Sequence, residues 1–169
     1  MEESDIAVIQ EYLTFKLADE TYAINVGCIK EVLGVPRITR VPRMPDYMTG
    51  VINLRGNVIP VVDLRLKFGM GATPITEDTG IIVTEVTGMF DEEEDEKIVM
   101  GIFSDSVQKV VSIGPSEIEA PPRIGMAIDT DFIAGMGRVD DSFVIMLNID
   151  KALSENELAR EKESVPIEA

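Results

Sequence analysis

The sequence contains no histidine and no tryptophan, and only one cysteine, Cys28, in 169 residues. Without histidine, the commonest general base and the commonest metal ligand are both missing. A lone cysteine cannot build an intrachain disulfide framework or a Cys-rich zinc site. As a nucleophile Cys28 would have no histidine to activate it, so its expected role is that of a small, part-buried residue in a reducing compartment. The absence of tryptophan weakens any aromatic cage for a cation or a sugar. The apolar runs are far short of membrane-spanning length, and the opening Met1-Glu-Glu-Ser-Asp5 has no basic-then-apolar leader pattern. Basic residues are scarce too, 15 against 31 acidic ones, for a formal charge of −16. Such a surface repels phosphate backbones and anionic lipid, which argues against nucleic acid and against direct membrane insertion. The expectation is a soluble, cytoplasmic, non-catalytic protein with no cofactor and no metal.

What is present is a globular composition, with 45 % hydrophobic and 27 % charged residues. The length is that of one domain, residues 1–169, with enough chain to bury a core. Strand patterns dominate. Leu13, Phe15 and Leu17 alternate with polar residues, and after the turn at Ala18-Asp-Glu20 the segment Thr21 to Ile24 returns as a hairpin arm. Gly50 to Leu54 and Val58 to Val62 are β-branched runs joined by Arg55-Gly56-Asn57, a tight-turn signal. Gly80 to Val86, Ile98 to Phe103 and Phe143 to Leu147 read as further strands. Pro60 inside a strand pattern predicts an edge or a bulge, and an edge is open to pairing by a partner. Val26 to Leu33 reads as a short helix or a helical turn entering a strand. Asp63 is placed to cap a short helix from Leu64 to Phe68. Residues 150–162, rich in Ala, Leu, Glu and Lys, predict a C-terminal helix followed by a tail.

Two chemical readings have little behind them. The acidic run 91–96 would be a cation-binding module only if it supplied ligands in a calcium-loop pattern. It lacks the alternating ligand spacing and the central glycine, so a solvated loop is expected. Asp63 paired with Asp46 or Asp131 would be a carboxylate couple for acid–base catalysis, but no phosphate-cradling glycine loop or metal cluster accompanies it.

The chain carries an internal repeat. Shifted by 85 residues, Asp46-Tyr-Met-Thr-Gly50 falls on Asp131-Phe-Ile-Ala-Gly135, and Val58 to Val62 falls on Phe143 to Leu147. Shifted by 78, the set Ile29, Val32, Leu33, Val35 falls on Val107, Val110, Val111, Ile113, and shifted by 69, Leu13 to Leu17 falls on Ile82 to Val86. The offset grows in order along the chain, and the extra residues fall in loop-like stretches at 89–97 and 119–125, as insertions in a duplication should. Each half holds about five short strands, the size of a small SH3-like barrel. The expected fold is therefore mainly β. Two five-stranded SH3-like barrel subdomains, approximately 11–70 and 79–150, would share one hydrophobic core, because each half alone would have a marginal one. A groove between them is a natural binding site.

The most specific segment is Gly50-Val-Ile-Asn-Leu-Arg-Gly56 followed by Ile59-Pro-Val-Val-Asp-Leu64. It resembles the signature of the CheW family of bacterial chemotaxis coupling proteins, and the likeness extends from about Glu11 to Leu153. The resemblance implies an adaptor that bridges the cytoplasmic tips of methyl-accepting chemoreceptors to the regulatory domain of a histidine kinase. Such an adaptor is recruited to the inner face of the membrane through the receptors. A scaffold for a receptor–kinase array outside chemotaxis is the alternative. The resemblance further implies a receptor-binding groove involving Ile29, Gly50, Arg55, Val107 and Val110, with Arg55 near an acidic residue at Glu31. Val32 joins this set as the repeat partner of Val110. The kinase contact would lie on the surface of the first subdomain. Core packing remains the bland reading of Ile29, Val32, Val107 and Val110.

Overall fold

The structure is a computed structural model that describes residues 9–87, 97–120 and 132–153. The alternating segments form β1 (Gln10–Leu17), β2 (Glu20–Asn25), β3 (Ile29–Gly34), β4 (Met48–Leu54), β5 (Asn57–Val62), β6 (Gly80–Thr87), β7 (Lys97–Ser104), β8 (Ser106–Ile113), β9 (Ile118–Glu119), β10 (Ile133–Val139) and β11 (Ser142–Leu147). Four-residue helices α1 (Leu64–Lys67) and α2 (Ile149–Ala152) follow β5 and β11. The segment from Val26 becomes a 3-10 turn, Val26–Cys28, running straight into β3. Of the C-terminal helix expected over 150–162, the described residues hold a four-residue helix, Ile149–Ala152, with Leu153 as its C-cap; the stretch after Leu153 lies outside them. The acidic run 91–96 also lies outside them.

The duplication is visible at residue level. The 85-residue shift carries β4, β5 and α1 onto β10, β11 and α2 with every boundary coinciding. Asp63 and Asn148 cap the two helices from equivalent positions. The pairing register slips at Met48/Gly50 and again at Ile133/Gly135. Both glycines lie beneath a crossing backbone. A Cβ on Gly50 would stand 2.3 Å from the Thr39 carbonyl oxygen, and one on Gly135 would stand 3.2 Å from that of Glu119.

The sheets do not follow the repeat boundary. Sheet A has the order β8-β1-β2-β11-β10-β9 and sheet B the order β3-β6-β7-β5-β4. Each sheet takes its first two repeat strands from one half and its other strands, four in sheet A and three in sheet B, from the other half. The units 11–70 and 79–150 are thus repeats in sequence but exchange strands in space. Four strand pairings join them: the antiparallel ladders β1–β8 and β3–β6, and two short parallel contacts, β11 to β2 through Ile145↔Tyr22 and Met146↔Ala23 and β5 to β7 through Val61↔Gly101 and Val62↔Ile102. Neither sheet closes into a barrel through backbone pairing among the described residues.

Pro60 is not on an edge. Strand β5 lies between β7 and β4. Val51 exchanges both of its backbone hydrogen bonds with Thr39, so it points away from its cross-strand partner Pro60. The missing Pro60 N–H would therefore face β7, where pairing starts only at Val61.

The core follows from the exchange. The central cluster takes Leu13, Phe15, Tyr22, Ile24 and Val62 from the first half and Ile82, Met100, Ile102, Ile145 and Leu147 from the second. Burial, with the Glu20 charge nearby, pushes the Tyr22 hydroxyl up to about 12. Smaller clusters within the sheets also mix halves: Val61 and Ile59 with Ile81, Val83 and Phe103 in sheet B, and Ala23 with Ile113, Val144 and Met146 in sheet A. The helices clip the exchange in place. Asp150 on α2 accepts from the Thr87 N–H and hydroxyl, both at 2.9 Å. Arg65, its repeat equivalent on α1, grips Asp105 at 3.1 Å, and Asp105 accepts the Ala18 N–H.

Phe15 is fully buried in the central cluster. Phe15→Ala should cost about 3–5 kcal/mol in a single denaturation transition. Amide protection should fall together in β1–β2 and β6–β7. Retained protection in one sheet would contradict a shared core.

Candidate functional site

Arg55 and Gly56 form the two-residue tip of the β4–β5 hairpin with φ of 53° and 87°, the left-handed pair that a tight primed turn needs. The Asn53 side-chain oxygen accepts the Gly56 N–H at 2.9 Å. This turn holds the Arg55 guanidinium at the end of the hairpin, where it grips Glu31 with both terminal nitrogens, at 2.6 and 2.9 Å. β3 and β4 are the opposite outer strands of sheet B. The pair therefore bridges with side chains the gap that the backbone leaves open. Arg55 is 70 % exposed and Glu31 29 %. The Arg55 hydrogen bonds hold the Glu31 carboxyl below the usual glutamate value.

The four apolar candidates occupy the outer strands, β3 of sheet B and β8 of sheet A. Val32 pairs with Ile82 and Val110 with Leu13, and both partners belong to the central core. Cross-strand neighbours share a face, so Val32 and Val110 lie where that core runs out into solvent. They are 43 % and 51 % exposed. The core reading fails for these two. Ile29 and Val107 are half-buried and pack against the central cluster. Gly80, the cross-strand partner of Gly34 next to β3, would have a Cβ 3.3 Å from Val107 and 3.5 Å from the Leu33 carbonyl, so the two outer strands meet there. Gly50 is buried under Thr39 and lies apart from this seam, where it fixes the geometry of β4.

A family model described as the CheW-like domain matches residues 11–157. The chain belongs to the CheW-like family. It is 33 % identical over 150 residues to the chemotaxis protein CheW of Klebsiella aerogenes, covering 89 % of this chain and 85 % of that protein. It is 34 % identical over 128 residues to the chemotaxis protein CheW of Bacillus subtilis, covering 76 % of each. The crystal structure of the scaffolding protein TtCheW from Thermoanaerobacter tengcongensis matches with a TM-score of 0.74 at 32 % identity, covering 86 % of this chain and 88 % of that one.

Two other chemical readings fall on described residues of this CheW-like domain. Asp46 and Asp63 do line one cavity of about 310 Å³. Both Asp63 oxygens are occupied, however, by the N–H groups of Arg65, Leu66 and Thr73 and by the Thr73 hydroxyl. That carboxylate is a cap, and Asp131 lies outside the described residues. Cys28 borders a second cavity of about 380 Å³ with Tyr12, Asn25 and Asp150. Burial, then the Asp150 charge, pushes its thiol up, the opposite of an activated nucleophile. Among the described residues, no group of three or more potential ligands could hold a metal ion, and no helix is long and apolar enough to cross a membrane. The sequence signal that relates these two exposed positions is the repeat, which aligns Val32 with Val110.

The lowered Glu31 value sets the pH window. A carboxylate depressed in the fold contributes above its ordinary value and loses that contribution as pH falls through the lowered one. A carbon-detected NMR titration should give a Glu31 midpoint below the ordinary glutamate range, rising towards it in Arg55→Gln. An unmoved midpoint would mean that the pair does not form in solution.

Proposed function

We propose that this chain is a non-catalytic adaptor that couples the cytoplasmic tips of chemoreceptors to the regulatory domain of a chemotaxis histidine kinase. One observation carries the reading. Repeat-related valines, Val32 and Val110, stand exposed on the outer strands where the shared core meets solvent, and Val32 directly follows Glu31 of the Glu31–Arg55 pair. A seam of this kind suits the apolar face of a helix. The relatives' names, chemotaxis protein and scaffolding protein, support the same reading. On it, the receptor's helical hairpin lies along β3 and β8, with Ile29 and Val107 as floor. Arg55 and Gly50 keep the first-half wall in shape. The protein is cytoplasmic and reaches the membrane's inner face through the receptors. The kinase contact falls on the first half of the chain, where Val41, Met44, Val58 and Ile75 are exposed.

The test is a pair of titrations, against a receptor-tip fragment and against a kinase regulatory domain. Val32→Ser and Val110→Ser should each weaken the receptor about tenfold, corresponding to about 1.4 kcal/mol, and leave the kinase unchanged. Val58→Asp should do the reverse. Unchanged receptor affinity in both serine variants would remove the site assignment.

A further inference from the structure

The repeat carries Glu31 onto Lys109 with the 78-residue shift and Arg55 onto Asp140 with the 85-residue shift. Lys109 and Asp140 also form an ion pair, at 3.7 Å. The backbone is the same in both halves. Asp140 begins the β10–β11 hairpin turn with φ 50°, against 53° for Arg55, and Asp141 follows at 68° where Gly56 has 87°. Lys109 lies in the register slip of β8 opposite Thr14, whose hydroxyl accepts the Lys109 N–H and donates to its carbonyl. Glu31 follows the corresponding slip of β3. One arrangement thus occurs twice with its charges reversed. In the first half the outer strand carries the anion and the hairpin tip the cation. In the second half the strand carries the cation and the tip the anion.

These charges immediately precede the exposed valines of the seam, Glu31 before Val32 and Lys109 before Val110. Side-chain exposure is 65 % for Lys109 and 82 % for Asp140. At such exposure an ion pair adds little stability, but it sets the local potential over roughly a Debye length, about 8–10 Å. The apolar seam has the pseudo-two-fold symmetry of the repeat. A helical hairpin has an approximate two-fold of its own, so on apolar contacts alone it would fit in two orientations.

We propose that Lys109 and Asp140 are specificity-determining residues that, by reversing the polarity of the Glu31–Arg55 pair, fix which way round the receptor hairpin lies on the seam. This rests on the receptor reading given under Proposed function. The principle is that opposed charge patterns reject the wrong register more than they add affinity.

The experiment makes the second half electrostatically like the first, with Lys109→Glu and Asp140→Arg together. The substitution suits the backbone, because Arg55 already adopts the conformation that Asp140 has. A receptor-tip hairpin fragment with a nitroxide on one helix is added to the isotope-labelled full chain, and the broadened amides are read. In the unmodified chain the label should broaden one wall, around Val32 or around Val110, but not both. In the double variant both walls should broaden at similar total affinity. Lys109→Gln with Asp140→Asn, which removes charge without reversing it, should shift the ratio in the same direction by less. High salt should erode the preference of the unmodified chain. A single orientation surviving in both variants overturns this inference while leaving the receptor reading intact. No binding by the unmodified chain overturns the receptor reading and this inference with it.

Discussion

Alongside the antiparallel ladders β1–β8 and β3–β6, two parallel strand contacts, each two residues long, join the exchanged halves: Ile145 and Met146 beside Tyr22 and Ala23, and Val61 and Val62 beside Gly101 and Ile102. Under the repeat, Met146↔Ala23 and Val61↔Gly101 are the same contact made twice. Each places one small residue, Ala23 or Gly101, beside a larger one. A Cβ on Gly101 would already stand 2.8 Å from Ile81 and 3.5 Å from Val61. Because β2 pairs with β11 and β7 with β5, neither half has a sheet of its own. The apolar faces of both sheets must then be buried against each other, and the central cluster is the result.

The same exchange creates the surface on which the proposed function depends. The third strand of each repeat pairs only with the first strand of the other half, β3 with β6 and β8 with β1, and so lies at an outer edge. Their core-facing residues cannot all be covered, and Val32 and Val110 mark the place where coverage ends. Edges that expose apolar side chains invite pairing unless they are managed. Here Arg55 and Glu31 manage one edge by tying it to the far hairpin.

Much of this was legible in the residues. The shifts of 69, 78 and 85 located the repeat, and the 85-residue shift fixed β10, β11 and α2 from β4, β5 and α1. The Asp63 cap and the hairpin ending at Arg55-Gly56 followed from residue type. The exchange was not legible, because alternation shows which face of a strand is buried but not which strand lies beside it. Pro60 misled for that reason: the rule that proline avoids interior strands is a rule about N–H groups, and the N–H position of Pro60 faces β7 just before the β5–β7 pairing begins at Val61. The core reading of Val32 and Val110 failed similarly. A valine on a strand is buried only if something covers it, and the edge position of β3 and β8 became visible only with the sheet order. The Arg55–Glu31 contact spans 24 residues and came from family resemblance, since spacing alone does not join an edge strand to a distant hairpin tip.

The central claim is that the halves exchange strands and share one core, and splitting the chain tests it directly. Cutting between Glu77 and Asp78, in the turn that joins the repeats, gives two fragments, each lacking three of the five repeat strands of either sheet it contributes to or two of them. The account predicts that each fragment alone shows no cooperative unfolding transition. It also predicts that the two mixed at equal concentration form a one-to-one complex with a single transition. A cooperative transition and native-like amide protection in either fragment by itself would contradict it.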